Sequence, residues 1–75
     1  MVEASNHIVL KSGFKGTIDH FSSDEIARKL MSMGVLPGES IELIRKAPFG
    51  GGWYIKVGQR RLALRKQELV CIKMK

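Results

Sequence analysis

From Ser40 onward the chain alternates apolar and polar positions with a period of two. Ile41, Leu43 and Arg45 fall on one side of an extended backbone, and Glu42, Ile44 and Lys46 on the other, which predicts a strand over about 40–47. Trp53-Tyr54-Ile55-Lys56-Val57 is aromatic and β-branched and predicts another. Gly58-Gln59 follows as a two-residue hairpin link with glycine first, the composition a type II′ turn prefers. Arg60 to Arg65 returns as the paired strand, with Leu62 and Leu64 on its apolar side. Leu69 to Met74 reads as the last strand, with Cys71 in its middle as a small core hydrophobe. Earlier in the chain, Phe14, Thr17, Ile18 and Phe21 mark a first strand at about 14–20, after a turn at Lys11-Ser12-Gly13.

One segment has a different period. Ile26, Leu30 and Met33 recur at helical spacing, flanked by Ala27 and Met31, with Arg28 and Lys29 on the solvent side. Ser22-Ser23-Asp24-Glu25 matches a capping box, with Ser22 accepting from a free amide and Glu25 reaching back. Gly34 stands where a left-handed C′ residue belongs, and Pro37 forbids continuation. A helix of about ten residues is too short to be stable alone and must lie on something apolar. Leu36-Pro37-Gly38-Glu39 fits a type II turn. Ala47 to Gly52 reads as a flexible loop, its Gly50-Gly51-Gly52 run lacking the lysine of a phosphate cradle, and Lys66-Gln67-Glu68 as a 3-10 turn. Residues 1–7 read as a loose or locally docked start.

Five short strands in so small a chain cannot leave their edges open cheaply, and closure gives them one shared core. The expected fold is therefore mainly β. It is a small SH3-like barrel of five strands, with the short amphipathic helix in the first long connection and the 3-10 turn before the last strand. The 75 residues suffice for one domain, with a core over about 8–74 and little room for an internal active site.

Composition narrows the function. An apolar fraction of 44% argues against disorder. The single cysteine excludes an internal disulfide, and no stretch approaches the roughly 20 apolar residues that span a bilayer. Met1 to Asn6 is polar and Ile8-Val9-Leu10 is too short for a signal peptide, so a cytoplasmic protein without membrane insertion is expected. There is no H-E-x-x-H, G-x-S-x-G or P-loop sequence, and His7 and His20 are too few for a catalytic constellation, so neither enzyme nor cofactor is expected. A net charge of +6 attracts nucleic acid, anionic membranes or acidic proteins, although the basic residues are spread from Lys11 to Lys75 as on a solvated surface.

Leu30-Met31-Ser32-Met33-Gly34-Val35-Leu36-Pro37-Gly38-Glu39-Ser40-Ile41 resembles the FeoA family pattern L-x-x-[LM]-G-[LMI]-x-P-G-x-x-[ILV]. Arg45-Lys46-Ala47-Pro48-Phe49-Gly50 is similar to the family's R-x-A-P-[LF]-G loop, and Leu62-Ala63-Leu64-Arg65-Lys66-Gln67-Glu68 to its L-A-L-R-x-x-[ED] segment. One departure is visible: where members often show Gly-Asp after the A-P-[LF] tripeptide, Gly50-Gly51-Gly52 runs on without an acid. The resemblance covers about 14–74 and assigns Leu30, Gly34, Pro37, Gly38, Ala63, Leu64 and Arg65 to the structural motif. It implies a cytoplasmic helper in transition-metal transport, bound to the membrane ferrous iron transporter FeoB, which carries a GTP-binding domain.

The candidate partner contacts are Phe49, Trp53, Arg60 and Arg61. Trp53 and Tyr54 point to opposite strand faces, so one of the two belongs to the core. His20 with Asp24 or Glu25 makes at most a weak surface metal site, short of the three or four converging ligands a transition metal wants. Two alternatives stand beside the leading one. The first is a basic nucleic-acid-binding barrel using Arg60, Arg61, Trp53 and Tyr54, though these aromatics form no recognisable stacking platform. The second is a corepressor-like domain, because the FeoA domain also occurs appended to iron-dependent repressors. A homo-oligomer is left open.

Overall fold

A computed structural model describes residues 8–75; the expected loose start and His7 lie outside the described residues. The strands are β1 (Lys15–Phe21), β2 (Ser40–Lys46), β3 (Trp53–Val57), β4 (Arg60–Leu64) and β5 (Ile72–Met74). Helix α1 (Asp24–Ser32) lies between β1 and β2, a 3-10 turn (Pro48–Gly50) between β2 and β3, and helix α2 (Lys66–Leu69) before β5. All pairings are antiparallel, in the order β4-β3-β2-β1-β5.

β1 serves two neighbours. Lys15, Gly16 and Thr17 pair with β2, whereas Ile18, His20 and Phe21 pair with β5, across an irregularity beside Asp19. A strand that changes partner midway bends the sheet around its own apolar face. Side chains from all five strands, among them Ile18, Leu43, Ile55, Leu64 and Ile72, consequently meet in one buried cluster with Leu30 and Leu69 of the helices. Closure is by this packing alone. Among the described residues no ladder joins β4 to β5, so these strands remain edges, contrary to the expectation that the barrel removes them.

The helix obeys its sequence signals with one shift. Its N-cap is Ser23, not Ser22: Ser23 is extended (φ −131°, ψ 128°), and its Oγ accepts from the Ile26 amide at 3.3 Å. That leaves Glu25 in the first turn beside the dipole's positive end instead of closing a capping box. The far end is a Schellman motif. Val35 N donates to Leu30 O (2.9 Å) and Gly34 N to Met31 O (3.0 Å), with Gly34 left-handed at φ +89° and Val35 and Leu30 both buried. The type II turn follows, with Gly38 at φ +91° and Glu39 N donating to Leu36 O at 3.2 Å.

The turn before β5 departs from expectation. It is a single α turn, not 3-10: Leu69 N donates to Arg65 O and Val70 N to Lys66 O, each at 3.0 Å. Burial of Leu69 draws it out of the strand, so β5 starts only at Ile72. Cys71 lies in the preceding turn, half-buried, its Sγ 3.5 Å from Gln67 O; it is not a mid-strand core residue.

Glu68 fixes this turn. Buried at 5% exposure, it accepts from the Arg65 amide at 2.9 Å through Oε1 and pairs through Oε2 with Lys29 of α1. Burial alone raises its carboxyl pKa, but the Lys29 ammonium and the Arg65 amide outweigh it and hold the group below the usual glutamate value. A depressed folded pKa contributes stability that is present above the unfolded pKa and lost as pH falls through the folded one. Glu68→Gln should therefore cost about 1–2 kcal/mol at pH 7. The gap to wild type should close on acidification below the ordinary glutamate pKa, as read by urea denaturation across pH.

Candidate partner-binding surface

The β2–β3 connection is built around an unusual backbone. Ala47 N donates to Gly52 O (2.8 Å) and Gly51 N to Pro48 O (3.2 Å), so the glycine-rich segment is folded into a hydrogen-bonded turn. A Cβ at Gly52 (φ +98°) would lie 3.1 Å from Arg65 Cα and closer still to the Leu64 carbonyl, which seats this turn on the end of β4. At the tip, Phe49 is fully exposed and left-handed (φ 60°, ψ 31°), alone among the non-glycine described residues in its positive φ. That conformation costs an L-residue roughly 1–2 kcal/mol. No burial offsets it.

Beside this tip the outer face of β2, β3 and β4 forms a shallow groove of about 480 Å³. Arg45, Tyr54 and Ala63 lie in register across the three strands, and the Arg45 guanidinium sits 5.2 Å from the Tyr54 ring centroid, within cation–π range. Ile44, at the irregularity in β2, is 37% exposed and lines the groove with Arg61 and Leu62. Sequence reasoning chose Arg61 but missed Ile44, Arg45 and Tyr54 as a group. The available signal was Ile44, an apolar residue on the polar face of β2.

The other candidates separate. Trp53 is 9% exposed and belongs to the core cluster, so it is the core member of the Trp53–Tyr54 pair and offers little surface of its own. Its burial also removes one of the two aromatics from the nucleic-acid alternative. Arg60 is engaged inward: its guanidinium donates to Met33 O at 3.3 Å and lies over Gly34, where a Cβ would collide with it. A cation there suits the negative end of α1. Phe49 and Arg60 therefore stand at opposite ends of β4, about 13 Å of extended chain apart.

His20 Nδ1 bonds its neighbour Asp19 Oδ2 at 2.7 Å, and among the described residues no three His, Cys, Asp or Glu side chains converge, so His20, Asp24 and Glu25 are not brought together as a ligand set. The motif residues have structural reasons: Leu30 and Leu64 are buried, Gly34 and Gly38 are left-handed, and the Arg65 amide is held by Glu68. Pro37 opens the type II turn, and Ala63 stands exposed on the outer face of β4.

Five antiparallel strands sharing one core, with an exposed aromatic turn beside a basic, partly apolar groove, define a small SH3-like barrel that presents its chemistry on its surface. The chain belongs to the FeoA domain family, whose model matches residues 9–75. It is similar to iron(II) transport protein A from Clostridium thermocellum (37% identity, TM-score 0.74), covering 88% of this chain and 41% of that one. The match thus spans about two fifths of that relative's length. A FeoA-like protein from Clostridium acetobutylicum is 27% identical, with a TM-score of 0.77 over 88% of this chain and 78% of that one. FeoA from Stenotrophomonas maltophilia, solved in complex with zinc and described as a prokaryotic SH3 domain protein, is 30% identical, with a TM-score of 0.64 over 88% and 84% of the two chains.

If the turn holds Phe49 against its conformational preference, Phe49→Gly should raise stability by about 0.5–1 kcal/mol, since no packing is lost. Chemical denaturation of the two proteins side by side reads this directly.

Proposed function

We propose that this chain is a cytoplasmic accessory of bacterial ferrous iron uptake, a protein-interaction module acting on the cytoplasmic domain of the transporter FeoB. Family membership supports the iron pathway. So do the relatives, one named iron(II) transport protein A and another put forward as a ferrous iron transport activating factor. No helix among the described residues is long and apolar enough to cross a membrane, which is compatible with a partner-borne membrane anchor.

The observation that carries the interaction reading is Phe49: a fully exposed aromatic held in a strained conformation by a folded turn. Strain that nothing in the fold uses points to a role outside it. Loops on a rigid scaffold are where small barrels bind, and an aromatic that enters a partner's pocket supplies a large share of the affinity. Arg45 and Arg61, in the groove on the outer face of the same sheet, suit an acidic partner face, steering encounter more than setting lifetime.

Titration of the chain against the isolated cytoplasmic domain of FeoB should show saturable binding. Phe49→Ala should weaken it at least about tenfold, as expected for a central aromatic anchor, without loss of fold. No binding by the wild-type chain, together with normal iron uptake in a deletion strain, would remove this reading.

A further inference from the structure

β4 ends the sheet order, so among the described residues one of its edges has no strand beside it. The two-residue Gly58-Gln59 link makes Val57 and Arg60 the hydrogen-bonded pair that closes the hairpin. Alternation then places Ile55–Leu62 and Trp53–Leu64 in bonded pairs, and turns the main-chain N–H and C=O of Arg61 and Ala63 away from β3. Both residues are exposed, and no turn, loop or capping hydrogen bond among the described residues engages their backbones. Four main-chain groups thus face outward in the spacing an added strand requires.

Such an edge invites pairing unless it is blunted. Among the described residues no strand pairs with it, and Arg61 and Ala63 stand exposed, so the protection is charge. Arg61 makes no ion pair among the described residues, and Arg60 and Arg65 flank the same strand. A second copy docked edge to edge would crowd the arginines of two β4 strands together, and like charges disfavour such pairing. The charge that repels a copy attracts an acidic strand. On the outer face, Ala63 is small and lies in register with Tyr54, leaving room for an apolar side chain, while Arg61 stands two residues away on that face.

We propose that the free edge of β4 accepts an extended acidic segment of a protein partner as a sixth antiparallel strand, seating an apolar residue over Ala63 beside Tyr54 and a carboxylate at Arg61. Because the added strand runs antiparallel, the recognised order is apolar residue, any residue, acidic residue. Main-chain bonds supply affinity in this mode, and alternate side chains supply selection. The antiparallel guest strand would run away from the Phe49 turn, which sits at the Leu64 end of β4. The inference deepens the interaction-module reading and rests on it only in supposing a protein partner.

The test titrates the ¹⁵N-labelled chain with the blocked peptide acetyl-Ser-Thr-Leu-Thr-Glu-Thr-Ser-amide and with the same peptide carrying lysine for glutamate. The expected result is that the amides of Arg61 and Ala63 shift most and exchange more slowly. The lysine peptide should bind about tenfold or more weakly at low salt, as charge reversal at a paired site predicts. Ala63→Pro removes an outward donor on an edge strand, where proline is tolerated, and should abolish the response. Arg61→Glu, which needs no backbone change, should invert the preference between the two peptides. Absence of binding, shifts centred elsewhere, equal binding of both peptides, or peptide-free self-association through β4 would each overturn the proposal. Peptide binding at β4 without binding of the FeoB domain would leave this inference standing and remove that partner. Binding of the FeoB domain undisturbed by both variants would do the reverse.

Discussion

Ile18 is where the sheet turns. Its side chain is fully buried, its amide donates to Glu39 O at 2.9 Å, and its carbonyl accepts from Gly38 N at 2.7 Å. Before it β1 belongs to β2, and after it to β5. A chain this short has one core, and a sheet can surround that core only if some strand is shared between its two halves. The rest follows from that sharing. The turn carrying Gly38 and Glu39 must arrive beside Ile18, so α1 must stop at Gly34, and it does so through a Schellman motif that brings Val35 inward with Leu30.

Elements governed by local periodicity were legible in the residue order. β3 is bounded as its aromatic and β-branched run indicates, and the Gly34 stop and the Leu36–Glu39 turn fall where glycine and proline placed them. The failures come where tertiary demands choose between local options. Ser22 and Ser23 are chemically equal caps, and Ser22 is drawn away because its amide bonds Cys71 O at 2.8 Å, leaving Ser23 to cap. Leu69 has strand character, yet burying it while Glu68 reaches Arg65 and Lys29 is better served by a helical turn. That contact with Lys29 spans the chain, and no window of residues contains it.

The candidate surface was legible only in part, for a related reason. Phe49 could be picked from its place in a turn, but its left-handed backbone could not, because phenylalanine carries no signal for that region. Trp53 and Tyr54 were separable in principle by strand alternation, and the fold decides which points inward. The free edge of β4 has no sequence signature at all. It exists because, among the described residues, β4 has a partner strand on one side only, a property of topology.

Arg60 and Arg61 show why net charge is a poor guide to what such a chain binds. They are neighbours of identical type, and strand alternation sends them to different tasks. Arg60 turns to the C-terminal end of α1 and covers Gly34, so its charge is spent on the scaffold, as that of Lys29 is on Glu68. Arg61 turns to the groove, where Arg45 lies against Tyr54. The field a partner meets on any one face is therefore set by which cations point there and not by the formal +6 of the whole chain. The same division runs through the family pattern. Its glycines, leucines and closing acid hold the barrel in shape, and a relative that kept them all while changing residues at positions 45, 49 and 61 would keep the fold and meet a different surface.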